Sequence, residues 1–347
     1  VLCNRTQTTV SLAYSAGGEV GRRMLAPREV LTIPAEGKVK VAFRDGEATR
    51  RAEVTASSIH GFFAPKRKVE LLPLLAAPPE PPAEGEPRPV PPVPSPIASV
   101  AVVPVKILTD DDEATLQRVW EPLLRKRMAK ASELFERHCR VRFKVTAVGT
   151  WHSDNRIDEF HESFKEFATE VDPRPAQLAI GFTSQYRIRR SGDHLGGTQA
   201  PLHRHILICE WVPQMSEQER LEVLLHELGH FLAAAHAPEY DSVMRPNLAD
   251  RRARVKSFRV GFDPFNTFIM YLLAEELRTG KYRGFQHIHP QRKAYIRLAY
   301  LTLAELFPDD RSTHLYLLAR RRVRLSRRAA DRRAALGRKA DGRADRG

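Results

Sequence analysis

The sequence predicts an α+β chain in three parts: a small all-β module, a central region where strands alternate with helices, and a helical C-terminal region. Three observations carry this expectation. Short β-favouring segments punctuated by Gly, Pro and Asp-Gly occupy residues 1–72. Eleven of the 25 prolines then crowd into residues 73–98, a composition that favours an extended backbone and cannot build a core, so this stretch reads as a linker. Beyond it, the apolar spacing switches repeatedly between the period of a strand and that of a helix. The resulting division is a β module over 1–72, the linker, a central domain over 99–250, a helical region over 251–319 and a basic tail over 320–347.

The β module should contain strands over Thr8 to Leu12, Glu29 to Ile33, Lys38 to Phe43, Ala52 to Ala56 and Lys68 to Leu72. It carries no catalytic cluster, so its expected job is binding or spacing. In the central domain Val100 to Leu108 reads as a buried strand, and Thr109 with Asp112 as a capping-box-like start to a helix ending near Arg137. A strand over Val141 to Val148, a helix over Asn155 to Glu170 and a strand over Gln177 to Phe182 follow. Leu195 to Trp211, with its Gly-Gly and Pro, reads as one irregular edge strand. Ser216 and Glu219 form a capping box for the next helix. Asp263-Pro264, Pro290 and Ser312 start three more helices, the last running into the tail. Trp120, Phe135 and Phe164 fall on core faces of their helices, and Cys209 reads as a small buried hydrophobe. His203 and His205 alternate along the edge strand and are expected to face solvent or substrate, while His287 and His289 flank a helix start at the surface.

At 347 residues and 42% hydrophobic, the chain is long enough for two or three cores. No uncharged apolar run free of proline approaches the roughly 18 residues that a bilayer requires. Three cysteines, Cys3, Cys139 and Cys209, are too few for a disulfide scaffold or a four-cysteine zinc site. The sequence begins with Val1 rather than Met, which suggests a removed leader and hence export, although no signal-peptide core is left to support it. The formal net charge of +14 would raise nucleic acid as a partner, but most of it is local. The last 28 residues hold eleven Arg and one Lys against three Asp, and no aromatic residue on which a base could stack. A weak contact with a polyanion is the role this tail suggests, against the simpler reading of a solvated extension.

The chemistry lies on the helix begun at Ser216. His226 and His230 in HELGH are four apart, so both imidazoles stand on one face and can reach a single ion about 2.0–2.1 Å away. Glu227 projects about 100° around the helix from His226, beside such an ion rather than onto it, where a base for metal-activated water belongs. Alone, the five-residue motif would arise by chance in roughly 3% of chains of this composition. His236 and Met244 at fixed offsets make that explanation untenable.

HELGHFLAAAH followed by DSVMRP resembles the metzincin zinc peptidases, and the step from His236 to Met244 is like that of the matrixins. The resemblance implies a zincin-like domain with a mixed sheet over the active-site helix and an edge strand that pairs with extended substrate. It implies that His226, His230 and His236 bind Zn²⁺, that Glu227 is the general base and that Met244 floors the site. Arg245 and Pro246 would form a wall of the substrate pocket. The matrixins' cysteine-switch sequence is absent. The strong motif spans about 20 residues and the element order about 150, with no likeness in the first 72 residues or the last 95.

One residue departs from the family pattern: Ala233 stands where the family has Gly. On a continuing helix His236 would lie about 240° around and 9 Å along from His230, so it binds only if the chain turns back. That reversal needs a residue near 231–235 at positive φ, which costs alanine something like 1 kcal/mol. The other candidates for third ligand are Asp241, Glu239, Glu275 and Glu276. The implied function is zinc-dependent endopeptidase action on a protein or peptide substrate. The alternative is a non-catalytic binding protein that uses the zincin domain as a scaffold and acts through the β module or tail.

Overall fold

In a computed structural model the chain is α+β, with three sheets and five α-helices among the described residues. Those residues are 1–65, 68–75, 99–185, 195–199, 201–210, 215–248, 250, 252–254, 260–279, 287–310, 312–313 and 316–317. Nearly all of the proline-rich linker and the whole of the basic tail lie outside them.

The first 75 residues form two four-stranded sheets. One has the order β4 (Val30–Leu31), β1 (Leu2–Asn4), β7 (Ile59–Phe63), β8 (Glu70–Leu75); the other β3 (Glu19–Leu25), β2 (Val10–Ala16), β5 (Lys38–Asp45), β6 (Ala48–Thr55). In β5 the alternation of KVKVAFRD turns Val39, Val41 and Phe43 inward, where Phe43 meets Phe62 edge-on at 5.2 Å. β3 buries only Leu25 of its seven residues, so no apolar alternation marked it in the sequence. β8 runs three residues past the expected linker start; Pro73 is tolerated because β8 is the edge of its sheet and Pro73 sits beside a register shift.

This module packs onto the rest of the chain. Ile59 and Leu75 belong to the main core, the Thr32 hydroxyl donates to the His138 carbonyl at 2.6 Å, and Arg5 pairs with Glu239 at 2.9 Å. Arg28 pairs with Asp241 at 3.2 Å and covers the Tyr240 ring. The module thus grips the segment that follows His236.

The central sheet has the order β10 (Val141–Trp151), β9 (Ala101–Asp110), β11 (Leu178–Thr183), β13 (His205–Cys209), β12 (Gly196–Gly197). The first four strands are parallel and β12 is antiparallel at the edge, so the sheet is mixed. Its two faces are buried differently. Val103, Val105, Ile107, Ile180 and Ile208 face α1 (Gln117–Cys139), α3 (Glu217–Phe231) and α4 (Pro264–Arg278) in the main core. Leu108, Ala179, Leu207 and Cys209 face Phe160, Phe164 and Phe167 of α2 (Phe160–Glu170). A fifth helix, α5 (Pro290–Leu306), packs against α4.

Four expectations need correction. α1 begins at Gln117 with no side-chain cap, and Thr109 and Asp110 instead extend β9. The carboxylates at the end of that strand serve neighbouring loops: Asp110 accepts from the Ser184 amide and Asp111 from the Ser153 amide, both at 2.8 Å. α2 starts at Phe160 rather than near Asn155. Where one strand was expected from Leu195 to Trp211, Gly196–Gly197 and His205–Cys209 are two antiparallel strands. His205 consequently lies on an inner strand, 7% exposed, with Nε2 on the Val171 carbonyl at 2.8 Å, facing α2 and not solvent. All three cysteines are buried and none is in a disulfide. No helix among the described residues is long and apolar enough to cross a membrane.

Candidate metal centre

α3 starts where the sequence requires. The Ser216 side chain accepts from the Glu219 amide, and the Glu219 carboxylate accepts from the Ser216 amide at 2.8 Å. This fixes the phase of the helix, and with it the face that carries His226 and His230.

The helix ends at Phe231 in a Schellman motif. The Ala234 amide reaches back to the Gly229 carbonyl and the Ala233 amide to the His230 carbonyl, each at 2.9 Å. Ala233 occupies the left-handed position at φ 69°, where glycine is usual, and so supplies the positive φ that the reversal demands. Two helices hold the reversal from behind. The Tyr300 hydroxyl of α5 donates to the Ala233 carbonyl at 2.5 Å, and the Asn266 amide side chain of α4 bonds both the N–H and the C=O of Ala235 at 2.8 Å. Asn266 is fully buried, so it substitutes for the strand or helix partner that Ala235 lacks.

The result brings His236 to the other two histidines. The three rings lie 4.5, 5.0 and 5.3 Å apart between centroids, and one nitrogen of each falls within 4.8 Å of the others. Every Nδ1 is already engaged by an acceptor: His226 with the Val243 carbonyl at 2.8 Å, His230 with the Ala234 carbonyl at 2.9 Å, His236 with an Asp310 carboxylate oxygen at 2.8 Å. A carbonyl or carboxylate oxygen can only accept, so each Nδ1 carries the proton and each neutral ring has its lone pair on Nε2. Burial keeps His226 well below the ordinary imidazole value and His230 down at about 4, so both are neutral near pH 7. The Nε2 atoms of His226 and His230 then face each other lone pair to lone pair at 2.9 Å. A cation between them would turn that repulsion into coordination, so the three imidazole nitrogens could hold a metal ion.

Glu227 stands beside the triad, 5% exposed, and burial alone pushes its carboxyl up to about 8. Its Oε2 has no hydrogen-bond partner among the described residues. Strand β12 crosses directly over it: a Cβ at Gly196 would lie 2.9 Å from Glu227 Cγ and 3.1 Å from Oε1, so only glycine lets the sheet edge come this close. Beneath the helix Met244 is fully buried, and a Cβ at Gly229 would lie 2.5 Å from its sulfur. The Met244 turn is held by the Ser242 hydroxyl, which receives the Met244 amide at 3.1 Å and donates to the α4 cap Asp263 at 2.9 Å.

Arg245 is not on an open wall. Its guanidinium is buried, forked on Glu222 at 2.7 and 3.0 Å and paired with Asp250 at 3.0 Å, while Pro246 is exposed. The rival ligands are engaged by arginines: Glu239 by Arg5, Asp241 by Arg28, Glu275 by Arg278 and Glu276 by Arg292. Asn266, Tyr300, Asp310 and Ser312 were not singled out from the sequence. Each acts across 31 to 76 residues, and no local pattern links them to the histidines.

No family model matches this chain, and no curated protein matches it. Among solved structures it is similar to an archaemetzincin from Methanopyrus kandleri, at 12% identity and a TM-score of 0.33, over 51% of this chain and 97% of that one. It is also similar to a chain in the structure of a chaperone-substrate complex, at 9% identity and a TM-score of 0.36, over 72% of this chain and 42% of that one. This chain therefore spans less than half of that second neighbour. At these scores neither likeness carries weight for function, which rests on the site's own atoms.

The reversal at Ala233 makes a quantitative expectation. Ala233→Gly should stay within about 1 kcal/mol of wild type in chemical denaturation, because relief of the left-handed strain offsets the lost methyl burial and the freer unfolded chain. Ala131→Gly, at an equally buried but ordinary helical position in α1, should cost about 1–2 kcal/mol. Equal losses at the two positions would remove strain at Ala233 from the account.

Proposed function

We propose that this chain is a zinc-dependent endopeptidase of metzincin type, with His226, His230 and His236 as ligands and Glu227 as general base. The observation that carries the reading is the convergence of three Nε2 lone pairs, each fixed by an acceptor on Nδ1, next to a buried carboxylate with an unpartnered oxygen. Zinc, when bound there, supplies a Lewis acid that polarises the scissile carbonyl and acidifies a water molecule. The chain's own part is to hold and move the proton. Glu227 in its ionised form takes a proton from water at Oε2 and returns it to the leaving amine; burial alone raises its carboxyl to about 8, and the positive charge of a bound cation would draw it back towards the ionised form that a base requires. β12, at the sheet edge over Glu227, offers backbone to an extended substrate. Met244 fits the role of the Met-turn floor.

A pure scaffold would gain nothing from burying an unpaired carboxylate at such cost, which speaks against the non-catalytic alternative. The test is zinc content together with cleavage of an unstructured protein by wild type, His226→Ala and His230→Ala. One zinc per wild-type chain with proteolysis, and loss of both in each variant, is the expected result. A full equivalent of zinc in either variant would refute the ligand assignment.

A further inference from the structure

Resting on this zinc reading, we propose that Asp310 is the positioning residue of His236, so that the segment after α5 is part of the metal centre. His226 and His230 are carried by a helix, and their Nδ1 atoms meet neutral backbone carbonyls at its own end and in the Met244 turn. His236 has no helix to orient it. It lies on the reversed strand of chain beyond α3, with its side chain 24% exposed, and its ring needs a partner from elsewhere.

That partner is a four-atom arrangement made by Asp310 and Ser312. The His236 Nδ1–H donates to Asp310 Oδ1 at 2.8 Å, and the His236 backbone N–H donates to the Ser312 hydroxyl oxygen at 3.0 Å. The Ser312 hydroxyl in turn donates to Asp310 Oδ2, which also receives the Ser312 amide at 2.8 Å. Backbone and ring of His236 are therefore read by one closed set of bonds, and the carboxylate is itself pinned on both oxygens. Two consequences follow for this residue. The tautomer is forced, with the lone pair on Nε2 towards His226 and His230. His236 is also the histidine of the triad with a negative charge behind its ring, which makes it the stronger donor to a cation.

The experiment uses the full chain with zinc, and with Co²⁺ as a spectroscopic probe, in wild type, Asp310→Ala, Asp310→Asn and Asp310→Glu. Chelator competition should show zinc affinity weakened by roughly 10- to 100-fold in Asp310→Ala. Asp310→Asn keeps an acceptor for Nδ1–H and loses the charge, so its loss should be smaller and its visible Co²⁺ bands should shift from those of wild type. Asp310→Glu should recover part of the affinity. Wild-type zinc affinity and Co²⁺ bands in both Asp310→Ala and Asp310→Asn overturn the proposal while leaving the zinc reading intact; should Asp310→Ala fail to fold, unchanged affinity and bands in Asp310→Asn overturn it alone. A wild-type chain that takes up no zinc overturns the zinc reading, and this proposal with it.

Discussion

Glu227→Gln is expected to retain one equivalent of zinc and to lose peptide turnover by about 10²- to 10⁴-fold, the usual weight of a positioned proton-transfer group. The amide matches the carboxylate in size, so the packing of Gly196 against the side chain survives, and β12 keeps its place over the helix. What disappears is the oxygen that can take up a proton. The variant should even be slightly more stable than wild type, since it replaces a group whose ionised form is disfavoured by full burial with one that never ionises. Steady-state kinetics on a peptide substrate, with metal analysis of the same sample, checks both halves. Wild-type turnover with zinc bound would show that another group moves the proton.

Arg245→Ala should be the most destabilising single change near the site, by about 3–5 kcal/mol in chemical denaturation. Removing the guanidinium strands Glu222, which is 1% exposed, as an uncompensated buried charge. The damage should also reach the metal, because the backbone around Arg245 carries the Val243 carbonyl that orients His226 and the Met244 turn that supports α3. The double variant Arg245→Met with Glu222→Leu should recover much of the stability, since apolar residues of similar volume can replace a buried pair. Failure of the double variant to recover any would mean that the arginine acts through something other than its pairing with Glu222.

The two helix starts near the site were legible because their signals are local: Ser216 with Glu219 for α3, and Asp263-Pro264 for α4. The reversal at Ala233 was expected only through the resemblance, which implied His236 as a ligand that a straight helix could not deliver to the face of His226 and His230; the structure places the positive φ on that alanine. The start of α1 was misread because Thr109 with Asp112 looks like a capping box, whereas Thr109 lies in β9 and Asp112 accepts from the Asn155 side chain at the end of the sheet. His205 was misassigned because strand alternation gives the face of a residue but not which strand is the edge. β3 and β7 escaped notice for opposite reasons, one being almost wholly exposed and the other short and mostly buried. Asn266, Tyr300 and Asp310 could not be found at all from periodicity, because the backbone groups and the ring they hold become neighbours only when the helical region folds back on the loop after α3.

The central claim is that three imidazoles, His236 among them, hold one zinc ion through Nε2. Zinc-edge X-ray absorption of the zinc-loaded chain tests it most directly. The account predicts three imidazole nitrogens at about 2.0–2.1 Å with only light oxygen donors besides, and one imidazole fewer in His236→Ala. A sulfur scatterer near 2.3 Å, or an imidazole count unchanged by His236→Ala, would contradict it.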